Sequence, residues 1–439
     1  MSISIISQIF FAFALIVGFG FFIRNVRKIW RNIRLARPID RTDRPAERWK
    51  LMARVALGQS KMTVRPIAGF LHILVYLGFL IINLEMLEIM VDGLFGTHRA
   101  FAFMGGFYDF LIASFEILAA LVIISVTVFW IRRNWVRVRR FWLGDLRGWP
   151  KLDADIILYI EFALMLAFLV MNAADYYAHQ KQGIDLPGAY PVSAYLFTFF
   201  QNFSLPALQF LERVAWWFHI LGVLFFMNYL YYSKHLHILL AFPNVWFAKL
   251  QPKGQFTNLE SVKREVEMML DPSADPYAAP AEPATTEVER FGAQDIFDLN
   301  QVQLLNAYTC TECGRCSAEC PANITGKKLS PRKIMMDTRD RVEEVGRIID
   351  AKGKFEDDGK RLLGDYITAE ELWACTTCNA CVQACPINID PLSIIIDLRR
   401  FLVMEESAAP MELNLMMQNV ENNGAPWQFN NADRLNWAD

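Results

Sequence analysis

Five apolar runs, at about residues 3–23, 67–90, 108–131, 155–172 and 213–233, are of the length a helix needs to cross a bilayer. In lipid the backbone must satisfy its own hydrogen bonds, so such runs fold as helices and the first half of the chain is expected to be a bundle of five spanning helices. Hydrophobic residues make up 54% of the 439 residues, more than an ordinary soluble chain carries. The first run has no basic residue before it and no small-residue cleavage site after it; Arg24, Arg27, Lys28, Arg31, Arg34 and Arg37 follow instead. That pattern describes a retained anchor rather than a removable signal.

A net charge of -2 conceals strong segregation. Basic residues crowd the loop after the first run (Arg24 to Arg65) and the loop after the third (Arg132, Arg133, Arg137, Arg139, Arg140, Arg147), whereas the other two loops carry only Arg99 and Lys181. The positive-inside rule then puts the N-terminus outside and everything beyond residue 241 in the cytoplasm, in a multi-pass protein of the inner membrane. Arginine runs can also bind nucleic acid, but their alternation with spanning segments favours topology, and no nucleic-acid partner is expected.

The chain divides into a membrane domain (1–245), a helix and linker (246–292), a second folded domain (293–405) and a tail (406–439). The linker contains "DPSADPYAAPAEPATTEVER", which cannot build a core. In the tail, Trp427, Phe429 and Trp437 suit either docking onto a partner or packing on the chain's own soluble domain.

All eight cysteines fall in two matching strings, "CTECGRCSAECP" (Cys310, Cys313, Cys316, Cys320) and "CTTCNACVQACP" (Cys375, Cys378, Cys381, Cys385). Both have the C-x2-C-x2-C-x3-C-P spacing of two-cluster ferredoxins, in which the fourth cysteine serves the other cluster. The expected ligand sets are therefore crossed: Cys310, Cys313, Cys316 and Cys385 for one 4Fe-4S cluster, and Cys375, Cys378, Cys381 and Cys320 for the other. Zinc also takes thiolates, but its sites use two separated pairs rather than four cysteines within eleven residues. Disulfides do not suit a cytoplasmic domain. The insert between the strings reads as helical, and Thr368 with Glu371 forms a capping box ahead of the second string.

Four of the six histidines, His72, His219, His235 and His237, lie on the second or fifth run; His98 and His179 fall in the loops on the other side. His219 and His237 stand eighteen residues apart, which is five whole turns if the fifth helix continues unbroken to about residue 240. His72 lies six residues past Pro66 and His237 six residues before Pro243, so the two are expected at one depth. Facing imidazoles in apolar surroundings suit the axial positions of haem b. His235 points the other way and reads as an interfacial residue or a haem-propionate neighbour.

These segments resemble known families. "AGFLHILVYLGF" and "WWFHILGVLFFMNYLYYSKHLHILLAFPN" resemble the haem-b membrane (gamma) subunit of respiratory nitrate reductase and its relatives in membrane-bound heterodisulfide reductase and sulfite-reduction complexes. "ITAEELWACTTCNACVQACPINID" resembles the ferredoxin part of heterodisulfide reductase and of glycerol-3-phosphate dehydrogenase iron-sulfur subunits. In the haem family's pattern one helix carries two ligands ten residues apart and the other two eighteen apart. His72, His219 and His237 fall on three of those positions and Ile82 on the fourth. The resemblance thus implies one haem, on His72 and His237, with His219 a candidate for a second; Met90 and His179 are weaker candidates to ligate opposite it. Similar fusions run on through "ENNGAPWQFNNADRLNWA" into a domain with paired Cys-Cys-Gly motifs, so the resemblance implies a separate Cys-Cys-Gly subunit docked at the tail.

The fold class expected is all-α: a five-helix transmembrane haem-b bundle followed by a cytoplasmic helical ferredoxin domain. The function expected is that of an electron-transfer subunit of an oxidoreductase, linking a quinone pool to a partner that handles electron-transfer flavoprotein or a thiol/disulfide couple. Quinone contacts would fall to His219, Glu85 or Asp175. A redox-sensing iron-sulfur scaffold without haem is the rival reading.

Overall fold

The computed structural model describes residues 4–273 and 290–438; the greater part of the Pro/Ala-rich linker, 274–289, lies outside the described residues. The molecule is all-helical, and β-pairing among the described residues is limited to isolated bridges between Arg37 and Asn300 and between Leu363 and Ile367.

Five helices are long and apolar enough to span a membrane: α1 (Ile5–Ile33), α2 (Pro66–Phe95), α3 (Gly106–Asn134), α4 (Trp149–Gln182) and α5 (Leu205–Tyr229). They outrun the apolar stretches at most ends because a helix keeps its hydrogen bonds after the sequence turns polar. The ends follow local chemistry. Pro66 opens α2 where no donor is needed, and Gly96 in the left-handed region closes it. α4 packs along α5, α3 packs against α2 and α4, and α1 lies across α5 and α2. Small residues permit the close approaches: a Cβ at Gly78 would lie 2.5 Å from Val122 on α3. The faces of α1 turned away from the bundle carry exposed Ile6 and Phe13, as expected where lipid is the solvent.

The fifth run does not continue as one helix. It tightens over Leu230–Tyr232, leaves the helical region at Ser233 (φ -118, ψ 146), and restarts as α6 (His237–Trp246). Asp153 of α4 accommodates the break, accepting from the Tyr229 hydroxyl at 2.6 Å and from the Lys234 N–H at 3.1 Å. Such breaks persist at membrane depth only when neighbouring groups satisfy the released backbone. The five-turn relation between His219 and His237 is therefore replaced by two helices, and Pro243 lies within α6 rather than at its end.

The C-terminal half is built on α7 (Gln301–Thr309), α8 (Pro331–Lys352) and α9 (Pro391–Met404). Ile296, Leu304, Ile334, Val342 and Leu398 make its solvent-free core. The capping box is present: Thr368 Oγ1 accepts from the Glu371 N–H and Glu371 Oε2 from the Thr368 N–H.

This half is not merely tethered. One continuous apolar core runs from Ile29 and Ile33 of α1 through Leu236 and Val245 into Ile296, Leu304 and Val345. Each such side chain buried contributes on the order of 1.5–3 kcal/mol. The partly exposed pairs of Lys28 and Arg31 with Asp350, both 2.5 Å, contribute less, about 0–1 kcal/mol each. Apolar packing holds the halves together and the ion pairs set the register. Gly346 is required at this seam, since a Cβ there would lie 2.6 Å from Asn32 Nδ2. A final helix, α10 (Met411–Asn423), buries none of its residues, and Trp427, Phe429 and Trp437 beyond it are exposed.

Candidate metal centres

The two cysteine strings fold alike. In each, the residues two and four positions after the first cysteine have positive φ: Glu312 (54°) and Gly314 (70°), then Thr377 (56°) and Asn379 (60°). Left-handed residues at alternate positions coil the backbone so that its N–H groups face inward. The Ile389 N–H donates to Cys385 Sγ at 3.3 Å and the Thr377 N–H to Cys375 Sγ at 3.4 Å. Such bonds tune bound iron-sulfur clusters.

Two cavities result. One is lined by Cys310, Cys313, Cys316, Cys381 and Cys385. The other is lined by Cys375, Cys378, Cys381 and Cys320. Each cavity thus draws cysteines from both strings, and Cys381 borders both. Burial pushes the Cys310 thiol up to about 12 and the Cys385 thiol up to about 11. Thiolates here depend on a cation to displace their protons, as iron does. Among the described residues, no three His, Cys, Asp or Glu side chains converge closely enough to hold a single metal ion. Thiols of both strings gathered around each space fit a cluster.

The first cavity is gripped by the membrane half. Lys61 Nζ donates to the Cys385 carbonyl (2.7 Å), Arg140 Nε to the Cys313 carbonyl (3.1 Å), and Lys234 Nζ to Glu312 Oε2 (2.5 Å). Burial alone would raise the Glu312 carboxyl, but Arg339 and Lys234 beside it hold it below its usual value. The second cavity faces away: Cys378 is exposed, and the Cys375 carbonyl is held by Arg399 of the same half.

His72 on α2 and His237 on α6 face each other, ring centres 6.5 Å apart. His237 Nδ1 donates to the Lys234 carbonyl at 3.1 Å, which fixes the tautomer and leaves Nε2 available as a ligand. His72 Nδ1 is buried without a hydrogen-bond partner. His235, expected to point away from His237 as an interfacial residue or a haem-propionate neighbour, does not point away: its ring lies 5.3 Å from that of His237, and its Nε2 is 3.3 Å from Glu161 of α4. The tight turn after Ser233 rotates it inward. His219 is buried deeper in the bundle, its Nδ1 bonded to the Leu164 carbonyl at 3.0 Å. His179, on the last turns of α4 rather than in a loop, stacks on His98 at the end remote from the iron-sulfur half.

That remote end holds a polar cluster. Arg99 folds back between the helices to reach Asn172 (2.9 Å), Asp175 (3.2 Å) and Glu85 (3.4 Å). A cavity lined by Glu85, Glu88, Asp92, His98, Arg99, Asp175 and Glu212 adjoins it, and Glu85 Oε2 is buried there without a partner. His98 and His179 both contact Asp175. Of the quinone-contact candidates, Glu85 and Asp175 meet here and His219 does not.

Sequence reasoning missed Lys61, Arg140 and the Lys234–Glu312 pair. The available signal was Glu312 itself, a charged residue between two expected ligands.

A bundle of helices long and apolar enough to span a membrane, joined to two cysteine-lined cavities, defines an iron-sulfur membrane protein, and known proteins share these features. Residues 309–389 match the 4Fe-4S dicluster domain family. The chain is 27% identical over 411 residues to the probable iron-sulfur-binding oxidoreductase FadF of Bacillus subtilis, covering 87% of this chain and 54% of that protein. It is 27% identical over 430 residues to the EtfAB:quinone oxidoreductase of Syntrophomonas wolfei, covering 91% and 55%. A shorter stretch of 165 residues is 34% identical to the probable membrane-anchored ferredoxin of Chromohalobacter salexigens, covering 34% of this chain and 24% of that one. The chain spans about half the length of the first two relatives. No solved structure matches it.

Proposed function

We propose that this protein is a membrane-anchored electron-transfer subunit linking a quinone in the bilayer, through haem b, to two 4Fe-4S clusters and a separate partner. The observation that carries the reading is the imidazole pair beside the first thiol cavity. His72 and His237 would hold haem b through their imidazole nitrogens. The 6.5 Å between His72 and His237 suits that arrangement. Haem b between these rings, like 4Fe-4S clusters on the two sets of four thiolates, would take and give up one electron at a time.

The chain's own residues do the rest. Cys310, Cys313, Cys316 and Cys385 hold the first cluster, and Cys375, Cys378, Cys381 and Cys320 the second. The basic ends of α1 and α3 lie on the same side as the iron-sulfur half, which supports a cytoplasmic location for it. The polar cluster at the remote end supports quinone contact beside it, where Glu85 and Asp175, the latter contacted by His98 and His179, would exchange protons. Glu85 is 13 residues beyond His72, about 20 Å along α2, with His219 at an intermediate depth. The exposed α10 and tail are the surface on which a Cys-Cys-Gly partner would dock; by analogy with the EtfAB:quinone oxidoreductase, electron-transfer flavoprotein is the ultimate donor.

A dithionite-reduced minus oxidised spectrum of the purified membrane protein, with haem extraction, tests this. Haem b is expected, with about eight cluster irons per chain. His72→Ala and His237→Ala should each abolish the haem signal and leave the cluster absorbance. Clusters without haem in the wild type would favour the sensing scaffold; zinc in place of iron would overturn both.

A further inference from the structure

We infer that Lys234 and Glu312 form a positioning strut that makes the Cys310/Cys313/Cys316/Cys385 site the membrane-facing centre and leaves the Cys375/Cys378/Cys381/Cys320 site as the outlet. This rests on the electron-transfer reading above and adds to it an order of centres and the residues that impose it.

The strut is a continuous chain of contacts. The His237 imidazole donates through Nδ1 to the backbone carbonyl of Lys234 at 3.1 Å. The side chain of that same lysine donates to Glu312 Oε2 and to the Pro150 carbonyl, each at 2.5 Å. Its backbone N–H is held by Asp153 Oδ2 at 3.1 Å, so the residue is fixed at both ends. Glu312 stands between Cys310 and Cys313, is 4% exposed, and is braced on its other oxygen by Arg339 at 2.7 Å. The break at Ser233 is what turns Lys234 toward the iron-sulfur half; an unbroken fifth helix would not present its side chain and the His237 ring to the same place.

Two independent contacts reinforce the assignment. Lys61 and Arg140, both from the membrane half, hold the carbonyls of Cys385 and Cys313. Arg315, next to Cys316, reaches back to the Lys61 carbonyl at 3.1 Å. The hydrogen bonds reaching Cys375 come instead from Thr377 and Arg399 of the iron-sulfur half, and Cys378 opens to solvent. One site is locked to the membrane half and the other presents a ligand to a partner.

Lys234 also sets the electrostatics of the site it grips. A buried cation beside a cluster favours the reduced, more negative state, so its removal lowers that cluster's potential, and removal of the Glu312 charge raises it. The purified full-length protein is titrated with cluster EPR and the haem spectrum followed together. Cys378→Ser first identifies the second-site signal by removing or altering it. In Lys234→Met the haem spectrum should persist and the other cluster signal should shift to lower potential, with the Cys378-dependent signal unmoved. Glu312→Gln should shift the same signal upward, and Lys234→Arg should restore the wild-type value. A shift confined to the Cys378-dependent signal, or no shift in either with haem intact, overturns the strut. Wild-type protein lacking haem or clusters would instead overturn the underlying electron-transfer reading.

Discussion

Asp145 lies on the loop between α3 and α4, and Arg332 lies in the first turn of α8; the pair they form crosses the seam between the two halves. The geometry is bidentate, Arg332 Nη2 to Asp145 Oδ1 at 2.5 Å and Nε to Oδ2 at 3.0 Å, with the guanidinium wholly buried. Removing one partner of a buried pair strands the other charge, at about 3–5 kcal/mol. Arg332 Nη1 keeps its bond to the Arg140 carbonyl at 2.7 Å, so Asp145→Ala should fall at the low end, about 3 kcal/mol. At 1.36 kcal/mol per decade that is a drop of roughly 150-fold in the docked population relative to the separated one. Hydrogen exchange in detergent reads this directly. The Arg37 N–H donates to the Leu299 carbonyl at 2.8 Å and the Gln301 N–H to the Arg37 carbonyl at 3.0 Å, so both amides are protected only while the halves are together. Their exchange should accelerate by about two orders of magnitude, while amides in the middle of α3 stay unchanged. Wild-type exchange at Arg37 and Gln301 in Asp145→Ala would refute the view that this pair adds to the apolar attraction between the halves.

Two further predictions concern the proposed centres. If the ligand sets are crossed, Cys320→Ser should perturb the cluster EPR signal that Cys378→Ser perturbs and spare the one lost in Cys316→Ser; grouping with Cys316 instead would mean that each string holds its own cluster. Glu85→Gln should keep the haem spectrum and dithionite reduction but slow haem reduction by a soluble naphthoquinol at least tenfold, with partial recovery in Glu85→Asp; a wild-type rate would remove the remote cavity from quinone chemistry.

What could be read from the chain in advance was what is local. The cysteine spacings, the apolar runs and the Thr368–Glu371 cap each lie within a few turns of backbone, where chemistry dictates shape. The meeting of His72 and His237 was also legible, because depth in a bilayer works as a second coordinate and both could be measured from the same surface. The route by which they meet was not. An unbroken apolar run gives no sign that Ser233 leaves the helix, since the group that stabilises the break is Asp153, eighty residues away. Arg99 looked like an isolated charge in a short loop. Its partners Glu85 and Asp175 lie on two different helices, and only their packing makes a buried cluster of it.

The same physics explains why arginines and lysines that look purely topological also seat the second domain. Positive-inside selection places cations at the ends of α1 and α3 and in the loops that follow them. A domain that folds on that side meets those cations and offsets the cost of desolvating them if it offers carboxylates and carbonyls in register. Asp350 meets Lys28 and Arg31, Asp298 meets Arg37, and the Cys313 and Cys385 carbonyls meet Arg140 and Lys61. Apolar burial supplies most of the attraction, but it is directionless and would tolerate several rotations of the domain over the bundle. The cations choose one of them, and in that one the Cys310 loop lies over His237. Screening should therefore affect alignment before it affects attachment: raising ionic strength is expected to slow electron exchange between haem and clusters while the Arg37 and Gln301 amides remain protected. Loss of amide protection at the same salt concentration as loss of exchange would show that charge, rather than the shared apolar core, holds the halves together.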